Sequence, residues 1–102
     1  IKKLKAIHRG FFSLEETKYR NPPMWDLIKP IQKKFPNLKI ICDPSHIGGE
    51  KNLLQSISQK AINFGLDGLM IETHSYPKNA LSDSKQQVNC SEFKNLIKNL
   101  NL

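Results

Sequence analysis

Arg9, His46, Glu72 and Asp83 are the residues whose types and places in this sequence could do chemistry. The first three lie at the carboxyl ends of apolar stretches that read as strands: Leu4–His8, Leu38–Cys42 and Gly68–His74. In α/β folds the carboxyl ends of parallel strands are where chemistry sits. Neighbouring parallel strands lie about 4.8 Å apart. Pairing in chain order would therefore bring Arg9 near His46, and His46 near Glu72. Asp83 comes back from the loop after the third strand, eleven residues beyond Glu72. A histidine with two carboxylates at the mouth of a parallel sheet offers nitrogen and oxygen donors suited to a divalent cation such as Mn²⁺, Fe²⁺ or Zn²⁺. Spacing alone also admits a hydrogen-bonded loop histidine and two salt-bridged carboxylates.

The elements that must position these residues alternate as β-α-β-α-β-α. The central stretch, Leu38-Lys-Ile-Ile-Cys42, is isoleucine-rich, as expected for a parallel strand covered on both faces. Asp43-Pro44 ends it, because proline cannot donate to a ladder, and the chain is expected to run on as a loop through Gly48-Gly49. A long loop from Phe11 to Asn21, closed by Pro22-Pro23, separates the first strand from a helix over about Met24–Phe35. Pro30 lies inside that helix and predicts a kink or break. Met24 and Trp25 are expected to anchor it to the sheet. Leu53, Leu54, Ile57, Ala61 and Phe64 recur at helical spacing and predict a second helix over about Glu50–Phe64, with Gly65 as its cap. In the third strand, alternation puts Glu72 and His74 on one face. Ser91 is the expected cap of a last helix over about Glu92–Leu100.

Other candidates carry plainer readings. Cys42 reads as a small core thiol, His8 as a packing residue, Cys90 as a thiol without a role, and His74 as either a neighbour of the cation or loop surface.

The bounds are those of one globular domain: 102 residues, 38% hydrophobic and 25% charged. No apolar run approaches the roughly 20 residues of a membrane span. Ile1-Lys-Lys-Leu-Lys5 lacks the apolar stretch of a signal peptide. Two cysteines make no disulfide framework, so a cytoplasmic location is the default. The net charge of +7 comes from scattered lysines without interleaved aromatics, which argues against a nucleic-acid groove. Arg9 and Arg20 are the only arginines, and arginine is the residue suited to gripping carboxylate or phosphate with two donors.

Taken together, Arg9-Gly10, Tyr19-Arg20-Asn21, Cys42-Asp-Pro-Ser-His-Ile-Gly-Gly49, Gly68-Leu-Met-Ile-Glu-Thr-His74 and Ala80-Leu-Ser-Asp-Ser-Lys-Gln-Gln87 resemble, in this order, the type I beta 3-deoxy-D-arabino-heptulosonate 7-phosphate (DAHP) synthases. The 3-deoxy-D-manno-octulosonate 8-phosphate (KDO8P) synthases share that architecture, but the Asp-Pro-Ser-His-Ile-Gly-Gly and Ala-Leu-Ser-Asp runs are more similar to DAHP synthase.

The resemblance implies an α/β fold, the last three βα units of a (β/α)₈ TIM barrel, with residues 1–102 as the carboxyl-terminal portion of the domain. It implies the metal-dependent condensation of phosphoenolpyruvate with erythrose 4-phosphate that opens the shikimate pathway to aromatic amino acids, in a cytoplasmic enzyme that is a homo-oligomer at full length. Carried over by motif, His46, Glu72 and Asp83 are catalytic residues that hold the divalent metal. Arg9 and Arg20 bind substrate. The family's metal cysteine, its phosphoenolpyruvate lysine and its loop for erythrose 4-phosphate belong to earlier strands, and Cys42 does not stand where the metal cysteine does. Glu50-Lys51 replaces the usual basic pair after the two glycines. Three strands cannot close a barrel, so the 102-residue chain alone is expected to be an inactive fragment. The alternatives are a KDO8P synthase-like condensing enzyme and a non-catalytic half-barrel binding module.

Overall fold

In a computed structural model, which describes residues 4–102, the chain forms a parallel sheet of three strands in the order β1-β2-β3. The reading of Ile1-Lys2-Lys3 lies outside the described residues. The strands are β1 (Lys5–His8), β2 (Lys39–Cys42) and β3 (Gly68–Leu69). Their register aligns the carboxyl ends, with His8 opposite Cys42 and Cys42 opposite Leu69. The helices are α1 (Ile28–Lys34), α2 (Pro44–Gly48), α3 (Leu54–Asn63) and α4 (Cys90–Lys98).

The strand order matches the sequence reading, while several boundaries do not. Pro30 does not break α1. A 3₁₀ turn over Trp25–Leu27 precedes α1, so Pro30 falls in the first helical turn, where its missing N–H has no partner to lose. Met24 is half exposed and left-handed (φ 47°), so it does not anchor the helix. Trp25 packs edge-on against His8 at 5.0 Å instead. The second helix also opens with a 3₁₀ turn, Lys51–Leu53. It ends as expected on Gly65 (φ 84°), with Leu66 N–H donating to Ala61 and Gly65 N–H to Ile62. The last helix starts earlier than Ser91 predicts. Asn89 caps it, accepting from Glu92 N–H while the Glu92 carboxylate accepts from Asn89 N–H.

The third strand is shorter than its apolar run. After Cys42, β2 turns away into α2, so the ladder to β3 loses its partner; Met70 N–H to the Cys42 carbonyl is the last bond of that side. Beyond it the chain stays extended but pairs with Val88.

Two clusters form the core. Cys42, Ile47, Ile57 and Ala61 make one, and Leu54, Val88, Leu96 and Leu100 the other, with Leu69 touching both. Cys42 is fully buried, and burial pushes its thiol up to about 12, so it is the inert core thiol the sequence suggests.

His8 is also a packing residue, buried with Nε2 donating to the Pro23 carbonyl at 2.6 Å, while Nδ1 has no partner. Burial lowers its pKa from 6.5, outweighing the Pro23 bond that raises it. In the window between the lowered folded value and the unfolded one, the unfolded chain binds the extra proton. The stabilising effect is complete above pH 6.5 and is lost as pH falls through that window. Thermal unfolding from pH 8 to 5 should therefore show a steeper acid loss in the wild type than in His8→Gln; superimposable profiles would contradict this.

Candidate metal centre

His46 sits inside α2, a single turn that the sequence reading treats as loop. Asp43 caps this turn, its Oδ1 accepting from His46 N–H at 3.1 Å, Pro44 occupies the first helical position, and Gly49 (φ 72°) closes it. The turn lifts the imidazole over the carboxyl end of β2. Asp43 then acts on the ring itself: Nδ1 donates to Oδ2 at 2.6 Å, which directs Nε2 the other way. Asp43 is 2% exposed, whereas from sequence it has only the role of ending a strand. The available signal was an Asp-Pro pair six residues ahead of Gly49, the start and stop of one helical turn.

Glu72 is held by its backbone. Its N–H donates to Ser45 Oγ at 3.0 Å and its carbonyl accepts from Val88 N–H at 3.2 Å. Its Oε1 lies 3.0 Å from His46 Nε2. Asp83 is left-handed (φ 52°), a conformation Asp tolerates better than most residues, and heads a 3₁₀ turn over Ser84–Gln86. Its Oδ2 is 3.8 Å from His46 Nε2. The three residues thus each bring one donor atom within 4.8 Å of the others, and all are partly buried.

Arg20 comes from the long loop, which docks on α2. Arg20 N–H donates to the Gly48 carbonyl, Asn21 N–H to that of Ile47, and Asn21 Nδ2 to that of His46. Gly49 permits this approach, since a Cβ there would stand 2.7 Å from Arg20 Cβ. Arg20 Nη1 donates at 2.8 Å to both Asp83 Oδ1 and Gln86 Oε1. That hydrogen bond, more than any other influence, holds the Asp83 carboxyl below the usual range. Gln86 is 1% exposed and donates from Nε2 to Glu72 Oε2 at 3.2 Å. Nothing in its sequence surroundings marks it out.

Arg9 meets the group only through Asp43, with Nε 3.7 Å from Oδ2 and its side chain mostly exposed. His74 is not among the three clustered donors; its Nδ1 accepts from Tyr76 N–H. Lys51 donates to Glu92 Oε2 at 2.7 Å rather than facing the site.

The donor set fits a cation by its chemistry. Nε2 and Oε1, 3.0 Å apart, are close enough for one ion to reach both. A carboxylate on the far ring nitrogen is the usual companion of a metal-bound histidine.

Comparison with known proteins bears on the family and the fold. Residues 2–101 match the family described as the DAHP synthetase I family. A phospho-2-dehydro-3-deoxyheptonate aldolase of Thermotoga maritima is 41% identical over 71 residues, covering 70% of this chain and 21% of the relative. A 2-dehydro-3-deoxyphosphooctonate aldolase of Rhodopseudomonas palustris is 33% identical over 82 residues, covering 70% of this chain and 29% of the relative. A truncated form of the Thermotoga maritima DAHP synthase superposes with a TM-score of 0.83 at 36% identity, over 94% of this chain and 36% of that one. The crystal structure of the phospho-2-dehydro-3-deoxyheptonate aldolase (DAHP synthase) from the same organism gives 0.81 at 36% identity, over 92% of this chain and 27% of that one. The chain therefore spans between about a fifth and just over a third of the length of these relatives. Its three parallel βα units are part of a TIM-barrel fold, and the chain belongs to the DAHP synthetase I family.

Proposed function

We propose that residues 1–102 form the carboxyl-terminal part of a DAHP synthase domain, and that the protein they belong to condenses phosphoenolpyruvate with erythrose 4-phosphate, the entry to the shikimate pathway. The observation that carries this reading is the convergence of His46, Glu72 and Asp83 at the carboxyl end of a parallel sheet in a chain of this family. These three residues would hold a divalent cation, Mn²⁺, Fe²⁺ or Zn²⁺. Such a cation supplies Lewis acidity to the aldehyde of the acceptor sugar. The cysteine of the family's metal set would come from sequence outside this match, since Cys42 is buried in the core with its thiol pushed up to about 12.

The arginines have separate duties. Arg9 carries an exposed guanidinium beside the cluster, free to offer a two-donor fork to the carboxylate or phosphate of phosphoenolpyruvate. Arg20 uses one nitrogen to hold Asp83 and Gln86, and its half-exposed side chain adds positive charge for the same anion. The chemistry of phosphorylated metabolites fits a cytoplasmic enzyme, and no helix among the described residues is long and apolar enough to cross a membrane. Homo-oligomerisation of the whole protein belongs to the same proposal.

Likeness to a phosphooctonate aldolase leaves arabinose 5-phosphate as the alternative acceptor. The protein as its gene encodes it should form DAHP from phosphoenolpyruvate and erythrose 4-phosphate faster than it uses arabinose 5-phosphate. A chelator should abolish the reaction, and Mn²⁺ should restore it. Preference for arabinose 5-phosphate would reassign the acceptor. No condensation with either sugar would overturn the reading and favour a non-catalytic module.

A further inference from the structure

We propose that Gln86 is a positioning residue that decides which oxygen of Glu72 faces the cation. The inference rests on reading His46, Glu72 and Asp83 as cation ligands, and it concerns the atoms on their outer side. Each carboxylate has one oxygen turned inward and one turned outward. Glu72 Oε1 and Asp83 Oδ2 face His46 Nε2, at 3.0 and 3.8 Å. The other two oxygens are occupied: Glu72 Oε2 accepts from Gln86 Nε2 at 3.2 Å, and Asp83 Oδ1 accepts from Arg20 Nη1 at 2.8 Å. Gln86 closes this outer clamp, because its Oε1 accepts from the same Arg20 nitrogen at 2.8 Å.

The amide is suited to this place by its two unlike ends. Arginine only donates and a carboxylate only accepts, so one orientation of the amide satisfies both neighbours and the flipped one satisfies neither. Gln86 is 1% exposed, which excludes water as a ready substitute at either end. Its backbone is fixed by the turn that Asp83 begins, with Gln86 N–H donating to the Asp83 carbonyl at 3.1 Å. One turn therefore carries both a cation donor and the residue that orients its partner donor. With Oε2 engaged by Gln86, Glu72 presents Oε1 alone; without that bond the carboxylate is free to rotate.

The test compares wild type, Gln86→Met, Gln86→Asn and His46→Ala in the protein as its gene encodes it. Mn²⁺ affinity and the visible absorption of the Co²⁺ complex are read for each. Gln86→Met keeps the length of the side chain without its polar ends. Gln86→Asn keeps the amide but is one methylene too short to reach both neighbours. Both should bind Mn²⁺ about 10–100-fold more weakly, the usual effect of removing an outer partner of a metal ligand. Both should also shift the Co²⁺ bands, which a loss of general stability would not do. If the apolar variant fails to fold, Gln86→Asn decides. Wild-type affinity and an unshifted Co²⁺ spectrum in the Gln86 variants, with binding still lost in His46→Ala, would overturn the role of Gln86 alone. Mn²⁺ binding by wild type no stronger than by His46→Ala would overturn the ligand reading and the role of Gln86 with it.

Discussion

On the proposed function, His46→Ala should abolish both cation binding and the DAHP formation proposed for the whole protein, while leaving the fold intact. The imidazole is the one nitrogen donor of the cluster, and both carboxylates are arranged around its Nε2, at 3.0 and 3.8 Å. Without it, two carboxylates face each other with neither a ligand nor a donor between them. The affinity loss should exceed the roughly 100-fold that removal of an outer partner costs. The ring contributes little to the core. His46 is only partly buried, and the apolar contacts of α2 come from Ile47, which is fully buried in the core cluster. The melting temperature of the metal-free protein should therefore change little. Equilibrium dialysis against Mn²⁺, with circular dichroism as the folding control, checks this. Retained binding would remove His46 from the ligand set.

Asp43→Ala should show the second-largest effect, for a reason that lies one bond further out. Its carboxylate has three partners: the His46 backbone N–H, His46 Nδ1 and Arg9 Nε. Removing it leaves the ring free to rotate or change tautomer, so Mn²⁺ should bind about 10–100-fold more weakly. The turn also loses its N-cap, which costs about 1 kcal/mol of stability. The Arg9 pair, more than half exposed on the arginine side, adds nothing worth counting. Asp43→Asn should separate the two effects. Its side-chain oxygen can still cap the turn, but its NH2 then takes the place of Oδ2 and cannot accept from Nδ1–H, so stability should recover more than affinity. Equal recovery of both would show that Asp43 acts only through the fold.

The parts of this molecule that could be read in the sequence are those with a repeating pattern. Apolar strands followed by helices of crossover length predict a parallel order, and β1-β2-β3 is what forms. Aligned strand ends then bring His46 and Glu72 together, while Arg9 arrives one residue removed, on Asp43. Asp83 could not be placed by pattern. It follows a loop, and its position depends on a left-handed backbone at Asp83 itself.

The parts that escaped are single turns. α2 has five residues, too few for hydrophobic periodicity to register, so Pro44 reads as the end of a strand rather than the start of a helix. Missing that turn hides Asp43, because a cap is recognisable only once its helix is. The same event shortens β3: the chain past Leu69 is apolar enough for a strand, yet β2 has already left the sheet, and Ser45 Oγ supplies a bond that a ladder carbonyl would otherwise give. Gln86 escaped for a different reason. A glutamine in a polar loop has no distinguishing pattern, and its partners Arg20, 66 residues away, and Glu72 meet it only in the fold.

Anomalous diffraction from crystals of the protein, as its gene encodes it, grown with Mn²⁺, tests the cation site most directly. A single strong peak is expected within bonding distance of His46 Nε2, Glu72 Oε1 and Asp83 Oδ2, with Asp43 still on Nδ1 and Gln86 still on Oε2. Manganese bound elsewhere, or none while His46 remains paired to Glu72, would contradict the proposed site.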